Sequence, residues 1–257
     1  MNGNMKMLAY RIIHKFKSLM GKKTKDDFHW DYYNTHYRGE LEEILKTHSQ
    51  ILKDGDYIFK ENRLIKSNSG IADLHMNHRL LYETILQLNP ESVLELGCGG
   101  GDHLHNLSIL YPKLKLVGLD LSEKQLQFLR ERHPDFKGDV RQCDCAKPFP
   151  ADIPKVDVAY TQAVIMHIKT GDKHKVALEN LFRVATRQVV LMENWNCHDF
   201  FGDVKSLFEQ GRIPWKEIYF YYRDVEELKR PHMMLVSSVP LSRYKELADY
   251  ALLTAGV

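Results

Sequence analysis

The sequence predicts a three-layer α/β sandwich, in which a seven-stranded, mostly parallel sheet lies between two layers of helices. Three observations predict this fold. From Ser92 onward, short aliphatic runs alternate with amphipathic segments of helical period. A glycine-rich segment follows the first run, as in a turn from a strand into a helix. Further on, two strand-like runs at about 217–222 and 233–238 lie close together and predict an antiparallel hairpin at one edge of the sheet.

The alternation of strands with helices indicates βαβ crossovers, and therefore parallel pairing of the first five strands. The predicted strands are SVLELG, LKLVGLD, DVRQCD, VDVAYT, QVVLME, EIYFYY and MMLVSS. The predicted helices cover about 71–88, 102–110, 122–133, 173–185 and 199–210. A chain of 257 residues with 44% apolar side chains can bury a core of this size.

The chain is predicted to have three parts. Residues 1–25 form a basic amphipathic helix, whose apolar stripe runs from Met5 to Met20 at helical spacing. Such a helix suits an anionic membrane surface, or it packs on its own domain or on a partner. Residues 26–88 form a helical cap, including a helix with Leu41, Ile51 and Leu52 on its apolar face, and residues 89–257 form the sheet domain.

Charge and composition narrow the class of protein. Seven of the 36 basic residues and none of the 34 acidic ones fall in residues 1–25, which leaves residues 26–257 with a net charge of −5. An acidic body argues against nucleic acid as a partner. No apolar run is long enough to span a membrane and no signal peptide is evident. The four cysteines show neither a disulfide framework nor metal-ligand spacing. We expect a cytoplasmic protein, with residues 5–25 as a peripheral contact to the inner face of the membrane.

The glycine-rich segment LELGCGGGD predicts a ligand site. Gly97, Gly99 and Gly101 occupy a turn after the first strand, where open α/β sheets bind nucleotide-like ligands. A dinucleotide fingerprint would have glycine at position 102, where this chain has Asp102. Together with Glu95, this residue predicts an anionic rim. Such a rim favours a cationic ligand such as S-adenosylmethionine, which carries a sulfonium and an ammonium.

The second strand ends at Asp120, about 20 residues beyond the glycine turn. A carboxylate there accepts hydrogen bonds from ribose hydroxyls. The alternative is that Asp120 caps the next helix, but Ser122, with Gln125 three residues later, suits that position better. We therefore assign Asp120 to a ribose.

Four segments follow one another along the chain: ESVLELGCGGG, VGLDLSEKQL, CDCAKPFPADIPKVDVAY and QAVIMHI. In this order and spacing they resemble the class I S-adenosylmethionine-dependent methyltransferases over about residues 80–195. The resemblance implies a Rossmann-like fold and S-adenosyl-L-methionine as cofactor. The implied cofactor-binding residues are Glu95, Gly97, Cys98, Gly99, Asp120, Leu121, Asp144, Cys145 and Gln162. In the family, Glu95 corresponds to the acid that helps to hold the methionine amino group and Asp144 to the acid that accepts the adenine amino group, with Cys145 beside the ring. One departure is Ala185-Thr186-Arg187-Gln188, where family members often have Lys-Pro-Gly-Gly.

Methyl transfer to a hydroxyl needs a base, because an alcohol has a high pKa. The resemblance places Gln162 to His167 opposite the sulfonium and the acceptor. His167 is the first candidate for the base, while its alternative role is to cap a turn. Glu193 and His198 are further candidates, and Glu193 would alternatively pair with a lysine. No metal site is predicted.

The acceptor class follows from motifs that the sequence does not contain. It has no Asn-Pro-Pro-Tyr or Asp-Pro-Pro-Tyr segment and no Pro-Cys nucleophile, which disfavours methylation of adenine or cytosine in nucleic acid. ATRQVVLMEN and PHMMLVSS resemble methyltransferase domains that cap bacterial O-antigen polysaccharides. The leading hypothesis is an O-methyltransferase of a saccharide. The alternatives are methylation of a soluble metabolite and a non-catalytic adaptor, and the adaptor is disfavoured because the cofactor motifs are intact.

Overall fold

The computed structural model describes residues 50–225 and 230–254. The predicted amphipathic helix of residues 1–25 lies outside the described residues, as does Leu41 of the predicted helical cap.

The described chain contains ten strands and six α-helices. The strands are β1 Tyr57–Lys60, β2 Arg63–Lys66, β3 Ser92–Leu96, β4 Lys115–Asp120, β5 Asp139–Gln142, β6 Val156–Gln162, β7 Ala185–Met192, β8 Tyr219–Val225, β9 Arg230–Ser237 and β10 Lys245–Glu246. The helices are α1 Met76–Leu88, α2 Asp102–Leu110, α3 Glu123–Arg132, α4 Lys173–Val184, α5 Phe200–Glu209 and α6 Ala251–Thr254, and a short 3₁₀ helix covers Ile165–His167.

Eight strands form the central sheet, in the order β10-β8-β9-β7-β6-β3-β4-β5. β3 to β7 are parallel, whereas β8, β9 and β10 pair antiparallel, which confirms the predicted hairpin. The predicted number of seven strands is wrong by one. The additional strand, β10, has only two residues at the edge of the sheet, and such a short segment leaves no periodic pattern in the sequence.

The sheet separates two apolar cores, as expected for a three-layer sandwich. Val93 faces the core beneath α1, α2 and α3, and the next residue, Leu94, faces the core beneath α4 and α5. This alternation follows from the two-residue period of a strand. Tyr82 and Leu81 of α1 are fully buried, so this helix packs on the face of the sheet. His78, on the same helix, is buried, as its place on the apolar stripe predicts.

Residues 50–88 differ from the expected helical cap. The structure has no helix at Ile51 and Leu52, and residues 57–66 form the antiparallel hairpin β1–β2. Its two turn residues, Glu61 and Asn62, have φ of 53° and 65°. Two consecutive positive φ angles are typical of the tight turns that match the twist of a hairpin. Glutamate is a weak signal for such a turn, and the sequence therefore did not reveal it.

None of the helices within the described ranges is long and apolar enough to cross a membrane. The four cysteines are free, and the described residues contain no cluster of histidine, cysteine and carboxylate groups that would hold a metal ion.

Candidate active site

The glycine turn is fixed against the end of β4. The backbone N–H groups of Gly97 and Cys98 both donate to the carbonyl oxygen of Leu119, at 2.7 and 3.1 Å. Gly97 has φ of 75°, and a Cβ atom there would lie 2.3 Å from Val164 Cγ2. Gly101 has φ of 78°, and its Cβ would lie 2.4 Å from Leu129 Cδ1. Both the backbone conformation and the space therefore require glycine at these two positions.

Asp120 connects the glycine turn to the start of α3. Its Oδ2 accepts a hydrogen bond from the Gly99 N–H at 2.8 Å, and its Oδ1 accepts one from the Ser122 N–H at 2.8 Å. Burial raises the pKa of Asp120, and these two hydrogen bonds oppose the shift. Ser122 caps α3 by accepting from the Gln125 N–H, as predicted. A carboxylate has about four lone-pair positions, so Asp120 can still accept bonds from ligand hydroxyls.

Glu95 lies beneath the turn, with 2% of its surface exposed. It is opposite Tyr160 on β6 and Gly118 on β4. Burial raises the pKa of Glu95 to about 8. The nearby Tyr160 hydroxyl lowers this pKa in part, although the hydroxyl makes no hydrogen bond of normal geometry to the carboxyl group. Within the described residues, Glu95 Oε2, Tyr160 Oη and Gln162 Oε1 are buried and have no hydrogen-bond partner.

These three oxygen atoms indicate the kind of group that fits there. Gln162 Oε1 needs a hydrogen-bond donor, and so does Glu95 Oε2 when its carboxyl is ionised, because a buried carboxylate without a partner is costly. Both residues point to the same face of the sheet, because Tyr160 pairs with Glu95 and Gln162 is two positions further along β6. A small cation with several N–H groups, such as an ammonium, is the kind of group that donates to such atoms.

Asp102 does not contribute to an anionic rim, and that part of the sequence prediction is wrong. Its Oδ1 accepts hydrogen bonds from Arg132 Nε at 2.7 Å and from His133 Nε2 at 2.8 Å. Burial alone would raise the pKa of Asp102, but His133 and the Arg132 charge lower it overall. The Asp102 charge is therefore compensated at the end of α3, and the preference for a cation depends on Glu95.

The predicted adenine segment follows β5. Asp144 Oδ1 accepts from the Ala146 N–H at 3.0 Å, and its Oδ2 lies 3.1 Å from Lys147 Nζ. Burial raises the pKa of Cys145 to about 12, so its thiol is neutral and unreactive. The Leu121 side chain is 47% exposed directly after Asp120, where it offers an apolar surface to a ring.

Asn180 of α4 holds this segment in place, and sequence reasoning missed it. Its Oδ1 accepts from the Phe149 N–H at 3.0 Å, and its Nδ2 donates to the carbonyl oxygens of Cys145 and Lys147 at 3.1 and 2.7 Å. All three partners are more than 30 residues away in the chain. No local pattern in the sequence reports such a contact.

Glu193, one of the predicted candidate bases, holds the segment after β6 in place. Its carboxylate accepts hydrogen bonds from the Thr161 hydroxyl and from the backbone N–H groups of Val164, Ile165 and Met166, at 3.0 to 3.3 Å. Burial raises the pKa of Glu193 to about 7, and these bonds oppose the shift. Because both oxygens already accept several bonds, Glu193 acts as a positioning residue for this segment, and the structure does not favour it as a base.

The same segment contains Ala163, which has φ of 55°. The left-handed region costs a non-glycine residue roughly 1–2 kcal/mol. The Ala163 N–H donates to the Met192 carbonyl oxygen at 2.9 Å, which secures this conformation beside Glu193. Strained residues of this kind are frequent at functional sites.

His167 and His198 have different surroundings. His167 ends the 3₁₀ helix, and burial together with the Lys169 charge lowers its pKa, so the imidazole is neutral at pH 7 and can accept a proton. His198 stacks on His174 with ring centroids 4.0 Å apart, and His174 Nε2 lies 3.0 Å from Asp203 Oδ2. Burial and His174 lower the pKa of His198. His167 therefore remains the predicted base, and His198 joins a histidine–aspartate cluster that lies against the backbone of Ile165 and Ile168 in the same segment.

Residues 93–188 match the family model described as a methyltransferase domain. These residues form a class I methyltransferase domain. A malonyl-[acyl-carrier protein] O-methyltransferase of Legionella pneumophila is 34% identical over 90 residues, which are 35% of this chain and 28% of that protein. A demethylmenaquinone methyltransferase of Thermotoga maritima is 43% identical over 53 residues, 21% of this chain and 23% of that protein. The chain thus spans about a quarter of the length of these curated relatives.

The solved methyltransferase domain of bacterial CtHen1 has the same fold, with a TM-score of 0.51, 16% identity, and coverage of 64% of this chain and 98% of that one. The methyltransferase domain of the present chain contains all nine predicted cofactor residues, at the carboxyl ends of β3, β4, β5 and β6. Open α/β sheets bind their ligands at this edge.

Proposed function

We propose that this chain is an S-adenosylmethionine-dependent O-methyltransferase that acts on a saccharide in the biosynthesis of a bacterial surface polysaccharide, an O-antigen or a capsule. The observation that carries the methyltransferase part is the pair of buried, unpaired acceptors beneath the glycine turn, Glu95 Oε2 and Gln162 Oε1. Methylation of the oxygen or nitrogen of a soluble small metabolite is the second candidate.

The methyl donor supplies an activated methyl group, and the protein has to bind and orient it. Glu95 and Gln162 would accept hydrogen bonds from its ammonium. Asp120 would accept bonds from the ribose hydroxyls, because each of its oxygens accepts only one hydrogen bond within the protein, from Gly99 or from Ser122. Asp144 would accept from the adenine amino group, with Leu121 and Cys145 beside the ring.

On the acceptor side, the protein has to align a hydroxyl and remove its proton. His167 is neutral near pH 7, because burial and Lys169 lower its pKa. Glu193 accepts hydrogen bonds from the backbone of residues 164–166, which directly precede His167. We assign proton removal to His167 and its positioning to Glu193.

Two sequence features support a saccharide acceptor in a surface-polysaccharide pathway. One is the resemblance of ATRQVVLMEN and PHMMLVSS to O-antigen-capping methyltransferases. The other is the basic amphipathic segment of residues 5–25, which suits the inner membrane face where lipid-linked glycans are built.

Transfer of labelled methyl groups tests the proposal. The full chain and the methyl-labelled donor are incubated in two separate reactions, one with cell-envelope glycans and one with a soluble metabolite extract. We expect label in a glycan, and less label at limiting donor when Asp120→Ala replaces the wild-type protein. Label only in a soluble metabolite would favour the second candidate. No label in either fraction, with no binding of S-adenosylhomocysteine by the folded protein, would favour the non-catalytic adaptor.

Flotation with liposomes of anionic lipid tests the membrane contact. We expect the full chain to float and a chain that lacks residues 1–25 to remain in the dense fraction. Equal flotation of the two proteins would remove the membrane assignment without affecting the methyltransferase assignment.

A further inference from the structure

A groove of about 360 Å³ lies between the tip of the β1–β2 hairpin, α1, the end of β8 and the segment that precedes β10. This is the size of small-ligand sites in proteins. Four arginines from four different parts of the chain line it: Arg63, Arg79, Arg223 and Arg243. We call it the arginine groove.

Hydrogen bonds hold Arg79 and Arg243 in fixed positions, and Arg223 Nη1 donates to Thr84 Oγ1 at 2.7 Å. Arg79 Nη2 donates to the Leu64 carbonyl oxygen at 3.2 Å, and Arg243 Nη1 donates to Asn62 Oδ1 at 2.8 Å. A guanidinium has five N–H groups in a planar fork. These bonds therefore orient the two side chains and leave further N–H groups on each of them for a ligand.

Positive charge prevails in the groove. Each of its three carboxylates has a basic neighbour: Glu83 has Arg79 at 3.1 Å, Asp224 has Lys245 at 2.8 Å, and Glu61 has Lys60 at 3.9 Å. Four arginines and three carboxylates line the groove, which gives its lining a net charge of +1. This excess stands out on a chain whose residues 26–257 carry a net negative charge.

The groove also has an acceptor for a neutral donor. Asp224 Oδ1 is buried and has no hydrogen-bond partner within the described residues. Met76, Leu80 and Tyr244 supply apolar and aromatic surface on the same walls. Hydroxyl donors, a ring face and an anionic group occur together in acidic or phosphorylated sugars. Guanidinium groups bind phosphate and carboxylate in a fork-like geometry.

One end of the groove lies at the same edge of the sheet as the glycine turn. Tyr222 pairs with Met234, which in turn pairs with Leu191, so Arg223 and Asp224 lie at the carboxyl edge of the parallel strands. β8 lies four strand positions from β3, about 19 Å at the usual spacing of strands. An extended ligand of a few sugar units could reach both places.

We propose that the arginine groove binds the phosphate or carboxylate group of a saccharide, and that this saccharide is the anionic end of the methyl acceptor. The second part rests on the proposed function; the first does not.

Titration calorimetry of the full chain with glucose 1-phosphate, glucuronate and neutral glucose tests the first part. We expect at least one anionic sugar to bind more tightly than glucose, and about a tenfold loss of that affinity in Arg63→Gln/Arg243→Gln. Arg187→Gln, an exposed position outside the groove, is the matched control and should bind as the wild type does. The better ligand shows whether phosphate or carboxylate is the group recognised. Two results would overturn the site. One is that glucose binds as tightly as both anionic sugars, and the other is that the double variant binds the anionic sugars as tightly as the control does.

S-adenosylhomocysteine, titrated into the same samples, separates the two proposals. Its binding should be the same in the wild type, the double variant and the control. For the second part, the labelled glycan from the transfer experiment should be retained on an anion-exchange column. A labelled but neutral glycan would overturn the link to the acceptor, whereas the absence of any label would count against the proposed function.

Discussion

The Glu193 carboxylate accepts the Val164 N–H on both of its oxygens, at 3.2 and 3.1 Å, and thereby joins the end of β7 to the segment that follows β6. Val164 in turn contacts the glycine turn, since its Cγ2 atom occupies the space that a Cβ on Gly97 would need. One carboxylate therefore fixes the relative position of the predicted donor site and the predicted acceptor side.

Glu193→Gln tests this role. The amide NH₂ cannot accept hydrogen bonds, so at least one of the backbone N–H groups of Val164, Ile165 and Met166 would be left without its acceptor. We expect the variant to lose about 1–3 kcal/mol in the free energy of unfolding. Urea denaturation measures this loss, and Glu123→Gln, on the exposed surface of α3, is the control. Unchanged stability of Glu193→Gln would contradict the positioning role.

Asp120→Ala tests the ribose assignment. The substitution removes the acceptor of the Gly99 N–H as well as the predicted ribose contact. Affinity for S-adenosylhomocysteine should fall by roughly 1–3 kcal/mol in calorimetry. Asp139→Ala, in an exposed ion pair with Arg141, serves for comparison and should bind normally. If Asp120→Ala binds equally well, the ribose lies elsewhere.

Ala163 provides a test of backbone strain. Asparagine tolerates the left-handed region, whereas a β-branched residue is a genuine outlier there. We expect Ala163→Asn to keep near wild-type stability and Ala163→Val to lose about 1–2 kcal/mol. Thermal unfolding compares the two. Equal melting temperatures would show that position 163 does not require a positive φ.

His167→Ala tests the assignment of the base. At saturating donor, the wild-type turnover should stay constant as pH falls from 8 and decline only below the usual histidine pKa of about 6.5, because burial and Lys169 lower the pKa of His167. The variant should turn over more slowly, with unchanged affinity for S-adenosylhomocysteine. Full activity of the variant at neutral pH would exclude His167 as the base.

Features that depend on local pattern could be predicted from the sequence, and features that depend on distant contacts could not. The strand–helix alternation gave the parallel strands, and the Ser122 cap was visible because its partner Gln125 is only three residues away. The partners of Asp102 and the anchoring by Asn180 are about 30 or more residues away, which no periodicity reports. The hairpin turn at Glu61 and Asn62 was not predicted because glutamate is unusual at its first position.

The central claim is that the buried Glu95 carboxylate receives the ammonium of the methyl donor. Burial raises the pKa of Glu95 to about 8, so binding of a cation must ionise it at lower pH. This ionisation costs about 1.4 kcal/mol for each pH unit below the pKa. Binding of S-adenosylhomocysteine, measured by calorimetry from pH 6 to pH 8, tests the claim most directly. We predict that the wild-type affinity rises with pH across this range, and that Glu95→Gln binds weakly and without this dependence. A wild-type affinity that is flat or falls with pH, or equal affinity in Glu95→Gln, would contradict it.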